Sequence, residues 1–321
     1  MSTKKAPMRQ KNDKKNANRP QRGENNVRND VQNDMRRPKN RTARGASSDS
    51  SSERRGDRAR GDSLRAPNNS YFLWGHHALA AALANQNRRI KALYATQDGR
   101  DKLIALISAL PASRASALPD IRAVERHQLD NLPQAGPEGT KIVHQGIVAA
   151  VAPLETPHLD DYLEAITEND ESPQRVMVLD QVSDPRNVGA ILRSARAFGT
   201  TALIMQDRHA PEETGGLART AVGALEEVTL IRVVNLARAL DTLKDYHFHI
   251  VGLDMEGSHD TSRAANAERL ALVMGSEGKG MRRLTAQACD EILAIAMADS
   301  SESLNVSVAA AIMMHSTQAA K

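Results

Sequence analysis

Three stretches concentrate side chains that could do chemistry. Asp184-Pro-Arg-Asn-Val-Gly-Ala-Ile-Leu-Arg193 carries an amide, Asn187, and a guanidinium, Arg193. Gly275-Ser-Glu-Gly-Lys-Gly280 encloses a carboxylate, Glu277, among three glycines. Asp299-Ser-Ser-Glu-Ser-Leu-Asn-Val-Ser-Val-Ala-Ala-Ala-Ile-Met-Met314 runs from a small polar loop, with Ser303 and Asn305, into an apolar helix. Arg186, Arg193 and Arg196 fall on one side of the first predicted helix, which suits a phosphate-bearing substrate. Glycines that follow a strand let backbone approach a flat ligand closely. The glycine loop has neither the Walker spacing, since Met281 stands where Ser or Thr would follow Lys-Gly, nor the Gly-x-Gly-x-x-Gly of dinucleotide folds. A nucleotide-dependent ATPase or dehydrogenase is therefore excluded. No Cys/His spacing fits zinc, so no metal is expected.

The elements around these stretches alternate. Apolar strands are predicted at Val176–Leu179, Ala202–Met205, Val228–Ile231, Ile250–Leu253, Leu270–Met274 and Ile292–Met297. Helices are predicted at about 187–198, with Val188, Ile191, Leu192 and Ala195 inward, and at 236–244, with Leu236, Ala239, Leu240 and Leu243 inward. Short apolar strands separated by helices imply an α/β fold with a parallel sheet covered on both faces. Ligands of such sheets sit beyond the carboxyl ends of the strands. Asp180–Asn187, Gly275–Gly280 and the Met297–Ser303 loop all lie at that edge. Ser303 is the expected N-cap of the last helix, whose inward stripe is expected at Leu304, Val308, Ala311 and Ile312.

The rest of the 321 residues divides by composition. Residues 1–66 hold 19 Lys and Arg against 8 Asp and Glu, no aromatic residue and one leucine, Leu64. Such a segment cannot bury enough apolar area to offset its ordering entropy, so it is expected to be a disordered basic extension. Either it neutralises RNA phosphates or it is a passive tail. Residues 70–152 read as a small α/β domain: a helix over Gly75–Leu83, a strand over Ile90–Ala95, a helix at 101–110, an element at Val124–Leu129, a turn at Gly136–Gly139 and a strand at Gln145–Val151. Residues 153–173 read as a linker with one or two helical turns, and 174–321 as the second domain. His76, His77 and His144 are candidate RNA contacts, but their more ordinary use is in caps and cores. The single cysteine, Cys289, allows no internal disulfide, which fits a reducing, cytoplasmic setting. No run approaches the ~18 apolar residues of a membrane span.

In their order, the three chemical stretches resemble the motifs of the SpoU/TrmH-type (SPOUT) RNA 2′-O-ribose methyltransferases, over about the last half of the chain. Gly75-His-His-Ala78, Arg88-Arg-Ile90 and His144-Gln-Gly-Ile-Val148 resemble the small RNA-binding domain of the ribosomal RNA branch. The resemblance implies a deep trefoil knot and S-adenosylmethionine as cofactor, bound by Gly275, Ile295, Met297 and Leu304. It places Asn187, Arg193, Glu277, Ser303 and Asn305 at the reaction centre, with Arg193 as base or electrostatic activator. It implies a guanosine of 23S rRNA as the methyl acceptor. It also implies a homodimer through the last helix, where Met313 and Met314 exceed what one core face needs. The chain has Ile295-Ala-Met297 where many members have Ile-Pro-Met, and Asp299 where many have Gly. Two competing readings are a tRNA 2′-O-methyltransferase of the same family and a non-catalytic RNA-binding or ribosome-assembly protein.

Overall fold

The computed structural model describes residues 63–133, 142–169, 173–298 and 303–318, all within one compact unit. Residues 1–62, the expected Gly136–Gly139 turn and Asp299–Glu302 lie outside the described residues.

The first sheet is built from β1 (Tyr71–Trp74), β2 (Ile90–Ala95), β3 (Ile121–Ala123) and β4 (Ile147–Val151), in the order β1-β4-β2-β3. Its helices are α1 (His76–Ala84), α2 (Gln97–Ser108), α3 (Ala112–Ser116) and α4 (Arg126–Asp130). Helix α1 buries Ala78, Leu79, Ala82 and Leu83, the set its spacing predicts. Helix α2 starts four residues earlier than expected, because Thr96 caps it by accepting from the Gly99 N–H. The expected element at 124–129 is α4, while α3 and β3 are not among the expected elements. Every residue of β1 and β4 is buried, since the sheet is covered on both faces. On the outer face, Leu64 and Ala66 pack beside Phe72, Trp74 and Leu129. The end of the expected disordered extension therefore packs, half-buried, against a core through its one leucine.

Residues 153–173 are not a bare linker. They contain α5 (Leu159–Asn169), about three turns long, whose Leu159 and Leu163 are buried under the second sheet. That sheet comprises β5 (Gln174–Asp180), β6 (Ala202–Gln206), β7 (Thr229–Val233), β8 (His249–Ser258), β9 (Arg269–Gly275) and β10 (Glu291–Leu293). Its order is β10-β8-β9-β5-β6-β7 and every neighbouring pair is parallel. Strand β10 is shorter than expected, so Ile295 and Met297 lie in irregular chain beyond it. The helices of this half are α6 (Pro185–Ala197), α7 (Gly215–Ala221), α8 (Leu236–Asp245), α9 (Ser262–Ala265), α10 (Arg283–Gln287) and α11 (Val306–Ser316). Helix α8 buries the four residues expected of it.

Helix α11 corrects two expectations. Its N-cap is Asn305, whose side chain accepts from the Ser307 N–H at 2.9 Å, a cap worth about 1 kcal/mol. Ser303 lies upstream of the helix. The buried stripe is Val306, Ala309, Ala310, Met313 and Met314, while Val308 and Ile312 remain 47% and 37% exposed. Nearly every residue from Val306 to Met314 is apolar, so periodicity could not choose the face; packing against α6 does.

The two sheets share a core. One cluster of buried side chains runs from Leu73, Leu79, Leu93 and Val151 of the first to Ile191, Leu217, Met274 and Met313 of the second. With eight aromatic residues in the whole chain, this core is mostly aliphatic.

Candidate active site

The carboxyl ends of β5, β8 and β9 meet at one edge of the parallel sheet, and a cavity of about 510 Å³ opens there. Gly275, Glu277, Ile295, Met297, Ser303 and Leu304 all line it, although they come from two segments some twenty residues apart in sequence. The volume lies within the usual range for a small-molecule site. Its wall is mixed: Leu253, Met274, Ile295 and Leu304 are apolar, and Asp254, Glu277 and Lys279 are charged.

The glycine loop is a closed turn. Ser276 and Gly280 exchange N–H to C=O bonds in both directions, at 3.1 and 2.9 Å. A Cβ at Gly275 would lie 2.1 Å from the Gly280 carbonyl carbon and 2.2 Å from the Met281 nitrogen. Asp180, wholly buried at the end of β5, fixes the loop's far side. It accepts from the Arg282 backbone N–H at 2.9 Å and from Nε at 2.7 Å. Glu277 was expected to be a buried acid held among glycines. It is exposed at the cavity wall and makes no hydrogen bond or ion pair with the described residues.

Asn187, Arg193 and Asn305 do not line the cavity. Asn305 Nδ2 donates to Asn187 Oδ1 at 3.1 Å, so the start of α11 is tied to the start of α6. At the other end of the same two helices, the Phe198 and His315 rings meet edge to face at 5.6 Å. Of the three arginines on α6, two are neutralised. Arg186 pairs with Asp184, the α6 N-cap, at 3.0 Å, and its hydrogen bonds hold the Asp184 carboxyl below the usual carboxylate range. Arg196 pairs with Glu227 at 2.8 Å. Arg193 is exposed and has no hydrogen-bond or ion-pair partner among the described residues. An unpaired guanidinium on the helix whose start is tied to α11 is available for a substrate phosphate.

Of the candidate histidines, His144 is consumed structurally. Its Nε2 bonds Asp130 at 3.0 Å and its Nδ1 accepts from the Gly146 N–H at 3.0 Å. His76 and His77 are exposed. Burial pushes the Cys289 thiol up to about 12, so it is no nucleophile. Among the described residues, no group of three His, Cys, Asp or Glu side chains converges as a metal site.

Residues 174–315 match the model of the SpoU rRNA Methylase family, and residues 72–157 match that of RNA 2′-O ribose methyltransferase substrate binding. The chain is 38% identical to the 23S rRNA (guanosine-2′-O-)-methyltransferase RlmB of Escherichia coli (strain K12) over 246 residues, covering 76% of this chain and 96% of that relative. The RlmB of Photobacterium profundum is equally identical over 244 residues, 76% of this chain and 95% of its own. The chain belongs to the SpoU rRNA methylase family. Two solved structures share the fold: the SpoU methyltransferase AviRb from Streptomyces viridochromogenes in complex with AdoMet, and an rRNA methyltransferase from Sinorhizobium meliloti. The first has a TM-score of 0.61 at 20% identity and covers 83% of this chain and 93% of its own. The second has 0.60 at 19%, covering 78% and 86%.

Within this SpoU chain, the cavity includes residues that are not among the expected site residues. Leu253, Asp254 and Met255 reach it from the middle of β8, just past its pairing with β9, and Val306 and Ala309 from α11. The signal for Asp254 was available: an acid directly after an apolar strand of a parallel sheet lies at the ligand edge. Val306 and Ala309 lie within the third stretch, but the other face of α11 was expected to turn inward.

Proposed function

We propose that the chain transfers a methyl group from S-adenosylmethionine to the ribose 2′-hydroxyl of a guanosine in 23S rRNA. The observation that carries this is the cavity lined jointly by the 275–280 turn and by Ile295, Met297, Ser303, Leu304, Val306 and Ala309, with α6 tied to its rim through Asn187 and Asn305. The cavity fits the cofactor chemically. Leu253, Met274, Ile295 and Leu304 offer an apolar slot for an adenine, the turn at 275–280 offers backbone groups, and Asp254 offers a carboxylate for ribose hydroxyls. When bound, S-adenosylmethionine supplies an activated methyl on a sulfonium, so no metal is required.

The residues then have separable tasks. Gly275, Ile295, Met297 and Leu304 hold the cofactor. Arg193 holds the phosphate next to the target ribose and lowers the cost of charge developing on its 2′-oxygen. A guanidinium is always protonated, so this electrostatic task suits it better than proton abstraction. Asn187, Asn305 and Ser303 orient the ribose, and Glu277 or the substrate phosphate takes the proton. Alignment of the two reacting atoms supplies most of the acceleration. The test is a map of 2′-O-methyl positions in 23S rRNA from cells with and without the gene, repeated with purified protein and transcript. Loss of no guanosine methylation overturns the reading.

Three finer assignments go with it. A deep trefoil knot is supported by the path of the chain after β10. From that edge strand it returns to α11, packed on α6 and β9 near the middle of the sheet. A homodimer through α11 is supported by the exposed Val308 and Ile312, a surplus apolar face on a helix already buried on its other side. Sedimentation showing only monomer at micromolar concentration removes it. The division of labour is RNA capture by residues 70–152 and catalysis by 174–321, with the basic extension adding affinity of little base selectivity. Deleting residues 1–62 is expected to weaken RNA binding and flatten its dependence on salt. Unchanged affinity and salt slope would make the extension passive.

A further inference from the structure

The joint between the two sheets contains a buried ionic cluster. Arg88, 1% exposed, lies just before β2. Its Nε and Nη2 donate to Glu226, at 3.0 and 2.7 Å, and its Nη1 donates to Glu213 at 2.5 Å and to the Ala152 carbonyl at 2.8 Å. The acceptors are used fully. Glu213 also accepts from the Tyr71 hydroxyl at 2.6 Å and from the Leu154 N–H at 3.1 Å. Glu226 also accepts from Asn85 Nδ2 at 2.8 Å. Burial works against the Arg88 charge, but the hydrogen bond to Glu226 and the charges of Glu213 and Glu226 outweigh it and keep the guanidinium protonated.

Both glutamates flank α7. Glu213 precedes the helix, and Glu226 closes the short 3-10 turn, Ala224–Glu226, that follows it. Helix α7 is the part between. On one side it receives β1 so closely that a Cβ on Gly215 would lie 2.1 Å from the Trp74 ring and 2.2 Å from the Phe72 carbonyl oxygen. On the other it packs on α6, with Leu217 and Thr220 against Gly189. A contiguous path therefore runs from the small sheet through α7 to the helix that bears Asn187 and Arg193.

A buried ion cluster contributes little net stability over an apolar equivalent, because desolvation offsets most of the attraction. What it adds is a single allowed register, since any slip leaves buried charges unpaired. We infer that Arg88 is a positioning residue for the methyl transfer: by locking the small domain onto the segments on either side of α7, it sets where captured RNA meets α6. This rests on the proposed RNA 2′-O-methyltransferase function.

The test uses the full chain with a 23S rRNA transcript and S-adenosylmethionine. Arg88→Met keeps the volume and removes the fork. Faster amide exchange at Leu154 reports that the lock has opened. The expected result is a cofactor dissociation constant unchanged within about twofold, kcat at saturating RNA lower by about 10²-fold, and methyl groups spread onto riboses beside the wild-type site. Arg88→Lys is expected to restore part of kcat and the single site. A merely structural role would lower the folded fraction and leave the methyl map sharp. Arg88→Met with fast Leu154 exchange, wild-type kcat and a single methyl site overturns the inference. So does a sharp map with activity lost only in proportion to folded protein. If Arg88→Met does not fold, Glu226→Gln, which preserves shape, is read by the same measurements and decides. Wild-type protein that methylates no RNA would instead sink the functional reading and is seen in the first control.

Discussion

Arg193→Ala is expected to lower methyl transfer by about 10³-fold, the scale of removing one preorganised electrostatic contact, while cofactor affinity stays near wild type. The separation follows from placement. Arg193 stands on the exposed face of α6 and is absent from the cavity wall that Gly275, Ile295 and Leu304 form. It is also the one arginine of Arg186, Arg193 and Arg196 without an acidic partner among the described residues, so its charge is not already spent inside the protein. Removing an exposed side chain with no partner costs little stability, so loss of activity cannot be ascribed to unfolding. Arg193→Lys divides the mechanisms. A point charge on a flexible stem keeps the electrostatic part but loses the planar fork that holds a phosphate. Partial activity in Lys supports stabilisation of the developing oxyanion, and almost none supports a geometric task. Single-turnover rates with saturating RNA and cofactor, beside calorimetry of cofactor binding, provide the measurement. Normal turnover by Arg193→Ala would remove Arg193 from the mechanism.

How much of this was legible in the sequence depends on how sharply each element patterns itself. Helix α8 sets Leu236, Ala239, Leu240 and Leu243 clearly apart from its polar residues and buries that face, and α1, apolar from Ala78 to Ala84, buries the predicted face that its two leucines mark. The strands of the parallel sheet are short unbroken apolar runs, so their existence was readable, while their ends were not. Strand β8 runs on to Ser258 through polar residues, and β10 stops at Leu293 although apolar residues continue to Met297. Those ends are decided by pairing with neighbours, which no local pattern records. Helix α11 failed for the opposite reason: with apolar residues on every side, the sequence offered two faces and tertiary contact chose. Likewise Arg88 reads as a surface basic residue within Arg88-Arg89, and only its partners 125 and 138 positions away make it a buried joint. The site was legible as three motifs because its geometry is made by glycines, caps and strand ends, which leave marks in sequence. The wall contributed by Val306 and Ala309 comes from packing and left little trace, whereas Asp254 is marked by its place directly after an apolar run.

Gly275→Ala tests the cofactor site without touching a reactive group. The added methyl would lie 2.1 Å from the Gly280 carbonyl carbon, 2.2 Å from the Met281 nitrogen and 2.4 Å from the Gly280 oxygen. All three are backbone atoms, so no side chain can swing aside. Nor can the opposing strand of the turn retreat freely, because Arg282, one residue on, is held to the buried Asp180 through both its backbone N–H and its Nε. The paired bonds between Ser276 and Gly280 must therefore break, and the turn must open into the cavity it lines. Overpacking of this kind costs about 1–3 kcal/mol, and the expected result is a cofactor affinity lower by about 10- to 100-fold, since each 1.4 kcal/mol is tenfold. Calorimetry with S-adenosylmethionine in the presence of a chelator measures it and checks at once that binding needs no metal. Gly278→Ala is the control. Its Cβ meets nothing within 4 Å, and only its positive φ of 82° resists the change, so affinity should fall much less. Equal losses in the two variants would mean that the turn's flexibility matters and its closure does not. Wild-type affinity in Gly275→Ala would place the cofactor somewhere other than this cavity.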